Sequence, residues 1–274
     1  MSGEHFDHKK AIVFGHSIHY LVSDQVGSRE TNAKETLILL HGIGASAERW
    51  YKVIPILSRY YRIIVPDIIG FGYSEKPILE YTIDYFVKFL HEFISVLKID
   101  KASLMGSSFG GLVITEFALQ FPSLINKIVL ISPAGIMRTS TRMLDEYILA
   151  ALYPTYENVE RAFKHMTYDQ TTVTEDMLHD FMNRMILPNA KYTFMSTLLG
   201  IKNAPNIENR LNEISLPTLV LWGENDMMIP ASFAEAYGKI KDSIIIIIPR
   251  SGHTPFTECP QIFCNHVLKF LHSQ

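Results

Sequence analysis

The sequence predicts an α/β fold, a mostly parallel β-sheet covered on both faces by helices. Two observations carry this. Short β-rich runs alternate with stretches of helical periodicity along most of the chain. The runs are apolar almost throughout, as in "TLILL" and "IIIII", which is how strands buried on both faces of a parallel sheet read. At 274 residues, 47% of them hydrophobic, the chain has enough apolar side chain for one large α/β core.

Taken in order, "AIVF" and "HYLVS" flank Gly15 and predict an opening antiparallel hairpin. "TLILLHG" and "RIIVPD" follow as strands. Between them "ERWYKVIPILSRY" forms a helix if Pro55 falls at a kink or break. In "TIDYFVKFLHEFISVLKI", Phe86, Leu90, Phe93, Ile94 and Leu97 recur at helical spacing. Strand "ASLMG", helix "GLVITEFALQF" and strand "KIVLIS" come next. The chain closes with strand "TLVLWG", helix "ASFAEAYGKI", strand "SIIIIIP" and helix "QIFCNHVLKFLH". The run Ile244 to Ile248 reads as a strand buried on both faces.

Between Met137 and Glu213 the rhythm breaks. No convincing strand occurs there; "RMLDEYILAALY", "NVERAFKHM" and "EDMLHDFMNRMI" read as helices. Seven of the eleven methionines fall in this segment: Met137, Met143, Met166, Met177, Met182, Met185 and Met195. They either fill a helical core or line a mobile cap, since methionine adapts to varied apolar ligands.

A net charge of −3 without a basic block argues against nucleic acid as a partner. Two cysteines, Cys259 and Cys264, fit a reducing compartment, and a cytoplasmic location is expected. No apolar run approaches the ~18 residues of a membrane span, and the first residues lack a signal-peptide pattern. No metal or cofactor is expected. His16 and His19 lie three apart in a strand and point to opposite faces, while His5 and His8 fall in a terminus read as disordered.

The stretch "LMGSSFGG" sits between a strand and a helix. G-x-S-x-G fits in one register only, with Gly106 and Gly110 bracketing Ser108. Small neighbours let strand and helix pass closely and leave the serine Oγ exposed on a sharp turn. A helix N-cap is the blander role for such a serine. A serine hydroxyl needs a base to take its proton, and the base needs an orienting acid. Later strands supply both in the expected order: "LVLWGENDMMIP" bears Asp226 and "IIIIIPRSGHTPF" bears His253, with Glu224 a weaker rival for the acid. An oxyanion would be met by backbone N–H groups of Phe109 and of Ile43 in "HGIG", with His41 bracing that loop.

"HGIG", "VPDIIGFGYSEKP", "GSSFGG", "WGENDMMIP" and "SGHTPF" together resemble the α/β-hydrolase superfamily over nearly the whole chain. The resemblance implies an eight-stranded mostly parallel sheet with helices on both faces and an inserted helical cap after the sixth strand. Residues 1–136 and 214–274 would form the core and 137–213 the cap. It implies Ser108 as nucleophile, His253 as base and Asp226 as acid. A serine at the elbow argues against epoxide hydrolases and haloalkane dehalogenases, which use aspartate there. The chain is also similar to the carbon–carbon bond hydrolases of aromatic ring-fission pathways. Those commonly carry asparagine before the nucleophile, tryptophan after the histidine and a cap arginine for a substrate acid. Here the positions read Ser107, Thr254 and, as the one arginine that could serve, Arg184. "SPAGI" and "GHTPF" look closer to monoacylglycerol-lipase-like and small carboxylesterase members.

The expected activity is therefore hydrolysis of a small carboxylic ester with a short-to-medium acyl chain, with carbon–carbon hydrolysis as the alternative. Met137, Met143, Met182 and Met185 would line the acyl pocket, and Arg184 would be a solvated helix residue. Monomer and dimer both stay open. Two rivals come from other classes. "GIGASA" followed by Asp67 outlines a dinucleotide fingerprint, but it leaves Ser108, Asp226 and His253 unexplained. A binding protein that kept the fold and lost catalysis would be separated by failure to react with a fluorophosphonate probe.

Overall fold

The computed structural model describes residues 6–23 and 34–273; His5 lies outside them. Strands β1 (Asp7–Val13) and β2 (His16–Ser23) form the opening hairpin. Its two turn residues, Phe14 and Gly15, both have positive φ (53° and 79°), which matches the right-handed twist of the strands. Six strands follow: β3 (Thr36–Leu40), β4 (Arg62–Pro66), β5 (Ala102–Ser107), β6 (Ile125–Ile131), β7 (Thr218–Gly223) and β8 (Ile244–Ile248). They assemble in the order β1-β2-β4-β3-β5-β6-β7-β8. The pairs β1–β2 and β2–β4 are antiparallel and the rest parallel.

Alternation along β3 explains how both faces are buried. Leu37 and Leu39 pack with Trp50, Phe263 and Val267 on one face. Ile38 and Leu40 pack with Phe86, Leu90 and Phe117 on the other. The first face is covered by α1 (Ile54–Leu57) and α9 (Pro260–Leu271), the second by α2 (Ile83–Val96) and α3 (Phe109–Gln120).

Among the elements of the fold, the sequence and the structure differ at four places. The expected helix over "ERWYKVIPILSRY" is a 3₁₀ turn (Ala47–Trp50) and the single-turn α1, because Pro55 is confined to a helix's first turn. "ASFAEAYGKI" winds as 3₁₀ turns over Ala231–Lys239. His8 lies in β1, its ring nitrogen 2.9 Å from that of His19. β8 is an edge strand and not a doubly buried one: Ile244 and Ile247 are 47% and 41% exposed.

Between β6 and β7 the chain leaves the sheet for α4 (Arg142–Leu152), α5 (Tyr156–Met166), α6 (Glu175–Met185) and α7 (Ala190–Asn203). α4, α5 and α6 each begin at a threonine: Thr141, Thr155 and Thr174 accept the N–H of Leu144, Asn158 and Met177. After β7 and β8 come the loops bearing Asp226 and His253, and then the short α8 (Pro255–Glu258). Among the described residues no helix is long and apolar enough to cross a membrane.

One buried carboxylate ties the early strands to the loops above them. Asp67, fully buried at the end of β4, accepts from the N–H of Ala47 (2.6 Å) and Tyr73 (2.7 Å) and from His19 Nδ1 (2.8 Å). Burial opposes its charge, but His19 and the amide donors outweigh that and hold its pKa below the ordinary 3.8. Asp67 is thus a structural hub and not a ribose ligand. A depressed carboxylate contributes stability above the unfolded-chain value, and that stability is lost as pH falls through the lower folded value. Asp67→Asn is expected to lower the unfolding free energy by about 3–5 kcal/mol at neutral pH. Urea melts would show this, with the gap to wild type narrowing below about pH 4.

Candidate active site

β5 ends at Ser107 and α3 begins at Phe109, so Ser108 alone makes the turn between them. Its φ is 54° and ψ −116°, a region that costs a non-glycine residue about 1–3 kcal/mol. The surroundings enforce it. The Ser108 N–H donates to the Ile131 carbonyl at 2.8 Å, and its own carbonyl accepts from Leu112 and Ala134. A Cβ on Gly106 would lie 2.5 Å from the Gly110 carbonyl oxygen, and one on Gly110 would lie 2.5 Å from that of Leu40. Helix α3 therefore passes so close to β3 and β5 that only glycine fits on either side of the serine.

Asp226 follows β7 and His253 follows β8, and the parallel pairing of those strands brings their loops together. His253 Nδ1 donates to Asp226 Oδ2 at 2.7 Å, with both side chains buried. Asp226 Oδ1 accepts from the N–H of Met228 and Ile229, each at 2.9 Å, so the carboxylate is fixed in orientation. Glu224, the rival acid, instead accepts from the Arg250 N–H. Ser108 and His253 line one cavity, together with Ser107 and Ile43.

The loop after β3 lies against the elbow: a Cβ on Gly42 would sit 3.4 Å from Ser108 Cβ. His41 braces this loop, donating from Nδ1 to the Gly42 carbonyl and accepting the Ile68 N–H at Nε2. Burial depresses its pKa and keeps the ring neutral, as those two roles require. The Ile43 carbonyl is held by the Tyr147 hydroxyl at 2.8 Å. Phe109 is the first residue of α3, so the helix itself leaves its N–H unpaired.

Much of the remaining cavity wall comes from α4–α6 and the loop after β7, including Leu144, Tyr147, Phe163, Met166, Phe181 and Met228. Met137, Met143, Met182 and Met185, the methionines expected to line it, do not. Met137 lies before α4, outside any helix; for the other three, helix rotation is the reason. Leu144 and Tyr147 on α4, and Phe181 and Arg184 on α6, are three-residue-spaced pairs that share one face. Met143, Met182 and Met185 each sit one step from that face, and Met185 is buried in the core.

Arg184 is the larger correction. It is 5% exposed, lines the cavity and is not a solvated helix residue. Its Nη1 donates to Glu48 Oε2 at 3.3 Å, while its buried Nε has no partner among the described residues. Burial raises the Glu48 carboxyl above its ordinary value, which Arg184 only partly offsets. No local pattern marks Arg184 as buried, since its ion-pair partner lies 136 residues away. Arg49, which sequence reasoning did not single out, also lines the cavity.

A family profile described as "alpha/beta hydrolase fold" matches residues 35–260. A 2-hydroxy-6-oxo-6-(2'-aminophenyl)hexa-2,4-dienoic acid hydrolase of Metapseudomonas resinovorans is 31% identical over 253 residues, 88% of this chain and 86% of that protein. A 2-hydroxy-6-oxo-2,4-heptadienoate hydrolase of Pseudomonas putida is 27% identical over 89% of this chain and 94% of its own length. A crystal structure of a meta-cleavage product hydrolase from Pseudomonas fluorescens superposes with a TM-score of 0.85 at 25% identity, covering 96% of this chain and 97% of that one.

The His253–Asp226 geometry predicts a proton on Nδ1 of neutral His253. Imidazole ¹⁵N NMR of wild type should show that tautomer. Asp226→Asn should shift the population toward Nε2–H, and Glu224→Gln should leave it unchanged.

Proposed function

The chain belongs to the α/β-hydrolase family, and within it we propose a serine hydrolase that cleaves a carbon–carbon bond in an acidic, conjugated ring-fission product. The observation that carries this is Arg184, a buried cation with a free Nε in the wall of the cavity that holds Ser108. A neutral ester offers such a group single carbonyl acceptors but no countercharge, whereas a guanidinium holds a carboxylate through two parallel, charge-assisted hydrogen bonds. The relatives' names point the same way, since they describe hydrolases of 2-hydroxy-6-oxo-dienoates.

In this reading residues 137–213 act as the cap. Arg184 takes the C1 carboxylate and the C6 carbonyl reaches Ser108. The substrate reacts as its 2,6-dioxo tautomer, in which the C2 hydroxyl proton has been lost and C5 has gained one. His253, oriented by Asp226, accepts the Ser108 proton as Oγ adds to C6. The resulting oxyanion faces the Ile43 and Phe109 N–H groups, each worth about 2.7–4 kcal/mol. The C5–C6 bond then breaks. Its electron pair moves through C5, C4 and C3 to the C2 oxygen, which takes a proton and leaves as a 2-hydroxydienoate. Water, activated by His253, hydrolyses the acyl-Ser108 ester and releases a carboxylic acid. The sum is substrate plus water giving two acids.

Ester hydrolysis is the second reading. Ser107 and Thr254 favour it, standing where asparagine and tryptophan are common in the carbon–carbon enzymes. The same triad would open an activated ester without Arg184.

A 2-hydroxy-6-oxo-dienoate run beside p-nitrophenyl butyrate separates the two. Arg184→Met should lower kcat/KM on the dienoate by about 30-fold to several thousand-fold, the equivalent of roughly 2–5 kcal/mol. Its effect on the butyrate ester should stay within a few-fold. Efficient ester cleavage with no dienoate turnover would reverse the assignment. Ser108→Ala should cost about 10⁴–10⁶ in kcat on either substrate, by analogy with other serine triads, and Ser107→Ala far less. An acyl adduct located on Ser107 by mass spectrometry would refute the nucleophile.

A further inference from the structure

Arg184 is not the only cation at the cavity. Arg49 lines it too, and both arginines also line a second, outer pocket whose wall carries Glu48, Asp176 and Asp180. Both arginines are therefore shared between the serine cavity and the outer pocket. Glu48 pairs with Arg184. Among the described residues Arg49 has no carboxylate in ion-pair range. Its Nη2 reaches Thr254 Oγ1 at a long 3.4 Å, and its guanidinium lies 5.6 Å over the Phe163 ring. Burial lowers the Arg49 pKa to about 10, so it stays charged at neutral pH. A guanidinium has five N–H donors, and among the described residues Arg184 and Arg49 use one each.

We propose that Arg49 is a specificity-determining partner of Arg184, and that the pair grips a 2-oxo or 2-hydroxy acid headgroup. Arg184 takes the carboxylate and Arg49 the oxygen on the adjacent carbon. This deepens the carbon–carbon reading and rests on it for the order of groups along the substrate. A plain carboxylate is satisfied by one arginine fork. The second cation adds selectivity only for a ligand with another acceptor oxygen beside the acid. In the proposed cleavage the electron pair leaving C6 ends on that oxygen, so Arg49 would meet charge as it develops. Arg49 Nη2 reaches the hydroxyl of Thr254, the residue after His253 in the chain, and a bulkier side chain there would crowd the guanidinium.

Binding tests this without turnover. Isothermal titration of the intact protein would compare 2-oxopentanoate, which has the carbon skeleton of the five-carbon product, with pentanoate. Wild type is expected to bind 2-oxopentanoate at least about tenfold more tightly. Arg49→Met should reduce that preference to about twofold or less while moving pentanoate affinity by less than about threefold. Arg184→Met should weaken both acids by about tenfold or more. Arg49→Lys keeps the charge without the fork, so it should cut the preference at least about threefold, and it decides the matter if the methionine variant does not fold. Equal affinities in wild type, or a preference that survives Arg49 replacement, would overturn the proposal. Wild type that prefers the 2-oxo acid but leaves the dienoate intact would sink only the carbon–carbon reading. Dienoate cleavage without the preference would sink only the role of Arg49.

Discussion

The rest of the site depends on one close approach, that of helix α3 to strands β3 and β5. The contacts of Gly106 and Gly110 with neighbouring carbonyl oxygens leave no room for a Cβ. That packing allows the single-residue turn at Ser108, and the hydrogen bonds at Ser108 hold it there against its backbone strain. It also sets the loop after β3 beside the serine, with Gly42 facing Ser108 Cβ. The order of the parallel strands then brings the loops after β7 and β8 to the same end of the sheet, where ligands of such sheets bind.

The helices between β6 and β7 are fastened to each loop of the site. Tyr147 on α4 donates to the Ile43 carbonyl. Thr141 at the start of α4 donates to the Met228 carbonyl, two residues beyond Asp226. The His253 N–H donates to the Met166 carbonyl at the end of α5. Glu258 joins the same two segments, accepting the N–H of Gly252, Tyr168 and Asp169. A movement of this layer would therefore be felt at the backbone of each candidate catalytic loop, which couples the apolar wall to the chemistry beneath it.

The charges in that wall are costly. Removing Arg184 and Glu48 from water is only partly offset by their mutual attraction, and an apolar pair of similar volume would often serve stability as well. The free Nε of Arg184 adds to the cost. Stability alone gives no reason for these groups, whereas an anionic ligand would complete them. That physical argument is what favours the proposed acidic substrate over a neutral ester.

The sequence by itself determined the alternation of strands and helices, the register of the elbow at Ser108, and the order of Asp226 and His253 behind it. These are written in local terms, as periodicity, glycine spacing and loops that directly follow strands. It did not determine that β8 lies at the edge, because an isoleucine run reads alike at an edge and at a centre and strand order is set by pairing between distant segments. Nor could it choose between Met182 or Met185 and Arg184 as the cavity-facing residue of α6. Neighbouring helical residues differ by about 100° in direction, and the rotation of the helix is fixed only by what packs around it. The Glu48–Arg184 pair and the position of Arg49 beside Thr254 belong to the tertiary structure for the same reason. They join residues 136 and 205 positions apart, a distance at which no sequence pattern carries contact.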